Sequence, residues 1–247
     1  MITQPITLVL LPGMDGTGLL LQPLLEVLPD FIRPAVVTYP PDQPLTYREL
    51  KPHVIKQVPG ELPFFLLGES FGGPLAIMIA SDCPPNLKGL ILCGTFAKRP
   101  IYLPLPDFTL LLGLKLYMAI PSVLRNRLLD PRPTRRITDL LMQTQRTVNP
   151  EVWAKRASEV FKVDCTEELD CCTVPLLFLV GSRDRLIPRR SVRLIIRLRP
   201  SAAKAEIDAP HLLLQHSPVE ACQAIAQFIN STSTKTATNQ LTRMNGG

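Results

Sequence analysis

The sequence predicts an α/β protein in which a mostly parallel β-sheet carries helices on both faces. Two observations lead there. Short, continuous apolar runs of strand length alternate with longer segments of helical spacing, the pattern of a buried parallel sheet joined by crossover helices. One junction between such segments is Gly68-Glu69-Ser70-Phe71-Gly72, a G-x-S-x-G turn with an apolar strand before it and an apolar helix after it. At 247 residues, 46% hydrophobic and 19% charged, the chain can bury one large α/β domain or two small ones.

The elements follow in order. Thr7 to Leu11 is the first strand, stopped by Pro12-Gly13. Gly13 to Gly18 is a glycine-containing loop, and Leu19 to Leu28 has helical spacing. Ala35 to Tyr39 is a strand with β-branched and aromatic residues, closed by Pro40-Pro41. Leu45 to Val58 is a helix. Pro63 to Leu67 is the strand before the G-x-S-x-G turn, and Gly73 to Ala80 is the helix after it. Leu87 to Cys93 and Val174 to Val180 are strands, the second ending at Gly181. Pro188 to Leu198 is a helix and Ala203 to Ile207 the final strand. Pro218 to Ile229 is the last helix, with apolar positions at Val219, Cys222, Ile225, Ala226 and Ile229.

The alternation breaks between residues 95 and 164. This stretch is helical in pattern, punctuated by proline and rich in arginine and lysine. It is expected to be a lid inserted at the C-terminal edge of the sheet, where insertions cover sites. Residues 1–94 and 165–230 would form the core. Residues 231–247 are polar and small and are expected to be a disordered tail.

A net charge of +6 favours anionic partners, yet no basic stripe with interleaved aromatics and no RNA-binding or zinc-finger spacing is present, so nucleic acid is not expected. The longest apolar segment, 108–124, is interrupted by Lys115 and falls short of the roughly 18 residues that span a bilayer. With no secretory pattern at the start, the predicted compartment is the cytoplasm. Six cysteines fit that setting: Cys83, Cys93 and Cys222 read as small buried hydrophobes, and Cys171-Cys172 lacks metal spacing. No metal or other cofactor is expected.

The G-x-S-x-G turn points to Ser70 as a nucleophile. A sharp strand-to-helix turn exposes the hydroxyl, and the hydroxyl needs a base and a group that orients the base. The chain has three histidines. His211, in Asp208-Ala209-Pro210-His211, follows the last strand and opens toward the same sheet edge as Ser70. His216, five residues on, is the alternative, and His53 lies in a helix pattern. Asp184, in Gly181-Ser182-Arg183-Asp184, follows the strand before and is the expected orienting acid, with Asp164 as alternative. The oxyanion donors would be the N–H groups of Phe71 and of Met14 in the loop after the first strand. A phosphate cradle at Gly13–Gly18 is disfavoured, because no Lys-Ser/Thr follows. Asp15 would cap the next helix or tie the loop through Thr17.

The elbow, the loop Leu11-Pro12-Gly13-Met14-Asp15-Gly16-Thr17-Gly18, the run Gly181-x-x-Asp184-x-x-Ile187-Pro188 and the late Pro210-His211 together resemble the α/β-hydrolase superfamily over residues 6 to 230. The Leu-Pro-Gly-x-Asp-Gly-Thr-Gly form is similar to a subgroup containing bacterial hydrolases and acyltransferase-like esterases of plant plastids. The resemblance implies a sheet of about six strands and ester or thioester cleavage through an acyl-serine. The expectation is a serine carboxylesterase acting on small to medium acyl esters. The apolar stretch Phe108 to Leu116 suits an acyl chain, and the arginines around it suit an acyl-carrier or coenzyme A ester. Acyl transfer to an alcohol and a catalytically silent binding protein are the remaining alternatives.

Overall fold

The computed structural model describes residues 5–59, 61–100 and 130–244, with side chains to residue 234. Its strands are β1 (Ile6–Leu11), β2 (Ile32–Val36), β3 (Phe64–Glu69), β4 (Leu87–Cys93), β5 (Leu176–Gly181) and β6 (Ala203–Ile207). The described helices are α1 (Gln22–Leu25), α2 (Tyr47–Ile55), α3 (Gly72–Ala80), α4 (Arg135–Thr147), α5 (Pro150–Val160), α6 (Thr166–Cys171), α7 (Arg189–Leu198), α8 (Leu213–His216) and α9 (Pro218–Met244). The six strands pair in the order β2-β1-β3-β4-β5-β6, and every pair is parallel.

Strand periodicity divides the core into two layers. Val9, Leu11, Phe64, Leu66, Leu90, Leu92 and Phe178 face α2, α3, α6 and α7. Their neighbours Leu8, Leu10, Phe65, Leu67, Ile91, Leu177 and Leu179 face α1, α8 and α9. Both faces are covered, which is why these strands read as continuous apolar runs rather than alternating ones. Each fully buried Leu or Phe adds about 1.5–3 kcal/mol.

β4 and β6 fall on the predicted residues. β2 does not: it forms at Ile32–Val36, ahead of the predicted 35–39. Pro34 would argue against a central strand, but β2 is an edge strand, where a missing N–H is tolerated. The predicted residues Val37 and Tyr39 instead donate to Leu10 O and Gly16 O, beyond the strand. α2 begins later than predicted because Thr46 and Glu49 form a capping box.

The predicted end of the last helix at Ile229 is also corrected. α9 continues to Met244, in place of a disordered tail from residue 231. Thr232 is buried, and the hydroxyls of Ser231, Ser233 and Thr234 return to Phe228 O, Ile229 O and Asn230 O, respectively, of the preceding turn, so small polar residues keep the helical path. Cys83, expected to be buried, is exposed.

In the predicted lid, α4 sets Ile137, Leu140 and Leu141 against Leu20 and Leu212. The expected acyl-chain surface, Phe108 to Leu116, and the interrupted apolar segment 108–124 lie outside the described residues. Among the described residues, no helix is long and apolar enough to cross a membrane.

Candidate active site

In an all-parallel sheet, the loops after β1, β3, β5 and β6 all leave from one edge. Topology alone therefore brings Met14, Ser70, Asp184 and His211 to the same rim.

The turn at Ser70 is tight. β3 ends at Glu69 and α3 begins at Gly72, with Ser70 held at φ +49°. That left-handed conformation costs a non-glycine residue of order 1–3 kcal/mol. Backbone bonds hold it: Ser70 N–H donates to Cys93 O at 2.9 Å, and Ser70 O accepts from Gly73 N–H at 3.0 Å and from the Thr95 hydroxyl. The two motif glycines are sites of close approach. A Cβ on Gly68 would lie 2.6 Å from Gly72 O, and one on Gly72 would lie 2.6 Å from Pro12 O.

Three side chains then form one hydrogen-bonded line. Ser70 Oγ is 2.9 Å from His211 Nε2, and His211 Nδ1 is 2.9 Å from Asp184 Oδ2. The His211 and Asp184 side chains are only 5% and 4% exposed. Asp184 Oδ1 accepts from the N–H groups of Leu186 at 2.8 Å and Ile187 at 3.0 Å, which fixes the carboxylate plane. Burial opposes ionisation of Asp184. The hydrogen bond and charge of His211, with the two N–H donors, outweigh it and hold the carboxyl below its ordinary range. An ionised Asp184 accepts only, so Nδ1 carries the proton and Nε2 offers its lone pair to Ser70.

The alternatives considered from sequence sit elsewhere. Asp164 pairs with Lys98 at 2.7 Å and accepts from the Thr166 hydroxyl. His216 Nδ1 faces the Ser217 hydroxyl at 3.3 Å, and His53 is half-buried on α2.

The backbone beside Ser70 has a definite orientation. Gly13 O turns back to accept Gly16 N–H at 3.1 Å, as Ser70 O turns into the fold. A trans peptide is planar, so each of these carbonyls sends the next N–H the opposite way. The N–H groups of Met14 and Phe71 thus point out of their turns, and neither donates to a described residue. A Cβ built on Gly13 would lie 3.8 Å from Ser70 Cβ, so the two turns lie side by side. Of the two uses considered for Asp15, tying the loop is the one found: its Oδ2 accepts from Thr17 N–H at 3.0 Å and from the Thr17 hydroxyl at 2.6 Å. Burial raises the Asp15 carboxyl, against the pull of Thr17 and Arg156.

Reading the sequence did not single out Thr95, Glu69, Gln215 or Arg156. Glu69 is buried beside Ser70, and its Oε1 accepts from Gln215 Nε2 at 2.8 Å. Burial pushes its carboxyl up to about 7, with Asp15 adding to the rise and Gln215 and His211 opposing it. The available signal for Glu69 was its place, next to Ser70 and at the end of an otherwise apolar strand.

Comparison with known proteins agrees with this architecture. The sequence pattern of the serine aminopeptidase family S33 matches residues 47–213, well over half of the chain. Monoglyceride lipase of Homo sapiens is 27% identical over 195 residues, which cover 74% of this chain and 62% of the relative. The chain thus spans less than two thirds of that relative's length. Among solved structures, an esterase from Exiguobacterium antarcticum superposes with a TM-score of 0.78 at 15% identity, covering 93% of each chain. The enol-lactonase from Burkholderia xenovorans LB400 superposes with a TM-score of 0.76 at 16% identity, covering 92% of each. Taken with the all-parallel sheet and the turn at Ser70, the matched pattern means that this chain belongs to the serine aminopeptidase family S33, within the α/β-hydrolase superfamily.

Proposed function

We propose that the protein is a serine carboxylesterase that cleaves small to medium acyl esters through an acyl-serine. The observation that carries this reading is the line Ser70–His211–Asp184, with both contacts at 2.9 Å. His211 Nε2 takes the Ser70 proton as Oγ attacks the ester carbonyl, and Asp184 holds the imidazolium that forms. The carbonyl oxygen becomes an oxyanion facing the N–H groups of Phe71 and Met14. The intermediate then collapses: the C–O bond to the alcohol breaks, and the alkoxide leaves with the proton from His211. Water, deprotonated by the same imidazole, releases the acid and restores Ser70.

An ester fits the surroundings better than a peptide N-terminus. A cleft of about 470 Å³ is lined by Arg132, Arg183, Arg185 and Arg189 against two carboxylates, Asp130 and Asp184, and so carries an excess of positive charge. That is the wrong sign for an α-ammonium group. The likeness to monoglyceride lipases adds weight to the ester reading.

The test is Ser70→Ala. The variant should keep its fold by circular dichroism and lose both hydrolysis of p-nitrophenyl butyrate and labelling by a fluorophosphonate probe. Retained turnover in Ser70→Ala would refute the assignment, and a native protein that takes no label would favour a binding protein.

The same cleft favours a second reading, a thioesterase for coenzyme A or acyl-carrier esters. Of its carboxylates, Asp184 faces His211, and the buried Asp130 accepts from Arg132 N–H through Oδ1. Arg183 pairs with Asp208, while the remaining arginines reach solvent. On this reading, raising NaCl from about 0.05 to 0.5 M should increase KM for an acyl-coenzyme A several-fold and leave p-nitrophenyl butyrate unaffected. Equal salt response of the two substrates removes this alternative.

A further inference from the structure

Arg156, on α5, is 1% exposed, and buried arginines usually face carboxylates. This one faces backbone. Nη1 donates to Met14 O at 2.8 Å and Asp15 O at 2.9 Å, and Nη2 donates to Pro40 O at 2.9 Å. Among the described residues it forms no ion pair. Its guanidinium lies 5.4 Å from the centre of the Tyr39 ring, and Tyr39 itself holds the same loop, donating its hydroxyl to Pro12 O at 3.0 Å and its N–H to Gly16 O at 2.8 Å. The approach is close: a Cβ on Gly16, at φ +65°, would lie 2.7 Å from Arg156 Nη1.

Pro12 to Gly16 is therefore gripped from one side by Arg156 and Tyr39 and faces Ser70 on the other. Anchoring the carbonyls of Met14 and Asp15 fixes the two peptides that follow the Met14 N–H. Met14 N–H shares its peptide with Gly13 O, so it cannot turn away without breaking the bond from Gly16 N–H, and Arg156 holds the two peptides between those partners by charge-assisted bonds in a buried site. Preorganised donors of this kind lower the barrier because they need no rearrangement when charge develops.

We infer that Arg156 is a positioning residue of the reaction, holding the loop after β1 so that Met14 N–H meets the oxyanion formed at Ser70. The inference rests on the esterase reading above. It also assigns α5, within the 95–164 insertion, a part in the chemistry besides any covering role.

The experiment compares native protein with Arg156→Lys and Arg156→Met. Lysine keeps the charge but not the fork, and methionine keeps the bulk alone. Three quantities are read: thermal midpoint, kcat and KM for p-nitrophenyl butyrate, and Ki for an aryl trifluoromethyl ketone, which adds to the serine as a hemiketal oxyanion. In folded variants kcat should fall, by about 10-fold for Lys and about 10²-fold for Met, while KM changes little. Ki for the ketone should rise by the factor that kcat/KM loses. Native-like kcat and Ki, a change confined to KM, or failure of both variants to fold would overturn the inference and leave Arg156 a stability residue. A native protein that is neither labelled nor active sinks the esterase reading first, and this inference with it.

Discussion

Asp184→Asn is expected to lower kcat for p-nitrophenyl butyrate by on the order of 10³–10⁴ while barely moving the thermal midpoint. The size of the loss follows from where the two carboxylate oxygens sit. Oδ1 accepts two backbone N–H groups, from Leu186 and Ile187, so in the variant that position must hold the amide oxygen. The amide NH₂ then takes the place of Oδ2, 2.9 Å from His211 Nδ1. An NH₂ group donates, so Nδ1 must accept and the ring proton moves to Nε2. The nitrogen beside Ser70 Oγ then has no lone pair to receive the serine proton. Shape is conserved, both backbone bonds survive, and the loss falls on kcat. A variant that retains more than about a tenth of native kcat would show that Asp184 does not set the imidazole tautomer.

Glu69→Gln should change stability in a pH-dependent way. The Glu69 carboxyl rises from an ordinary value of 4.5 to about 7 because burial penalises its charge. A raised carboxyl binds its proton more tightly in the folded chain. Its contribution to stability is thus fully present below pH 4.5 and is lost as pH rises through 7. The displacement corresponds to a loss on the order of 3 kcal/mol between those limits. Glutamine cannot ionise and can still accept from Gln215. The variant should therefore gain stability over native protein above pH 7 and show little advantage near pH 5. Urea unfolding of both proteins at each pH measures this. A stability difference that is the same at both values would mean that Glu69 does not titrate in this range. Since Glu69 adjoins Ser70 and its charge acts on His211, the pH profile of kcat measured for the same two proteins separates a stability role from an effect on turnover.

The interior of the sheet was legible because each inner strand must bury both faces, so its apolar run is nearly continuous and its limits fall where proline, glycine or charge begins. Phe64–Leu67 and Gly89–Cys93 show this most directly, whereas the edge strand Ala203–Ile207 is largely exposed and carries Lys204 and Glu206. β2 was misplaced because Val36, Val37 and Tyr39 satisfy the same local rule, whereas the ladder with β1 selects Ile32 to Val36. The tail was misjudged because Ser and Thr are weak helix formers alone, and the burial of Thr232 belongs to the packed molecule. That Ser70, His211 and Asp184 would meet at one edge could be expected in advance, since a backbone turn with glycines, a shortage of histidines and loops after predicted strands are all local facts. The sequence alone thus determined the layered fold and which loops share an edge, because periodicity and burial act element by element. Only the tertiary structure decided that Thr95 locks Ser70 O, that Gln215 reaches Glu69 and that Arg156 grips the loop of Met14. These are buried polar contacts between segments far apart in the chain. A hydrogen bond is set by distance and direction in the packed molecule, and no run of neighbouring residues encodes either.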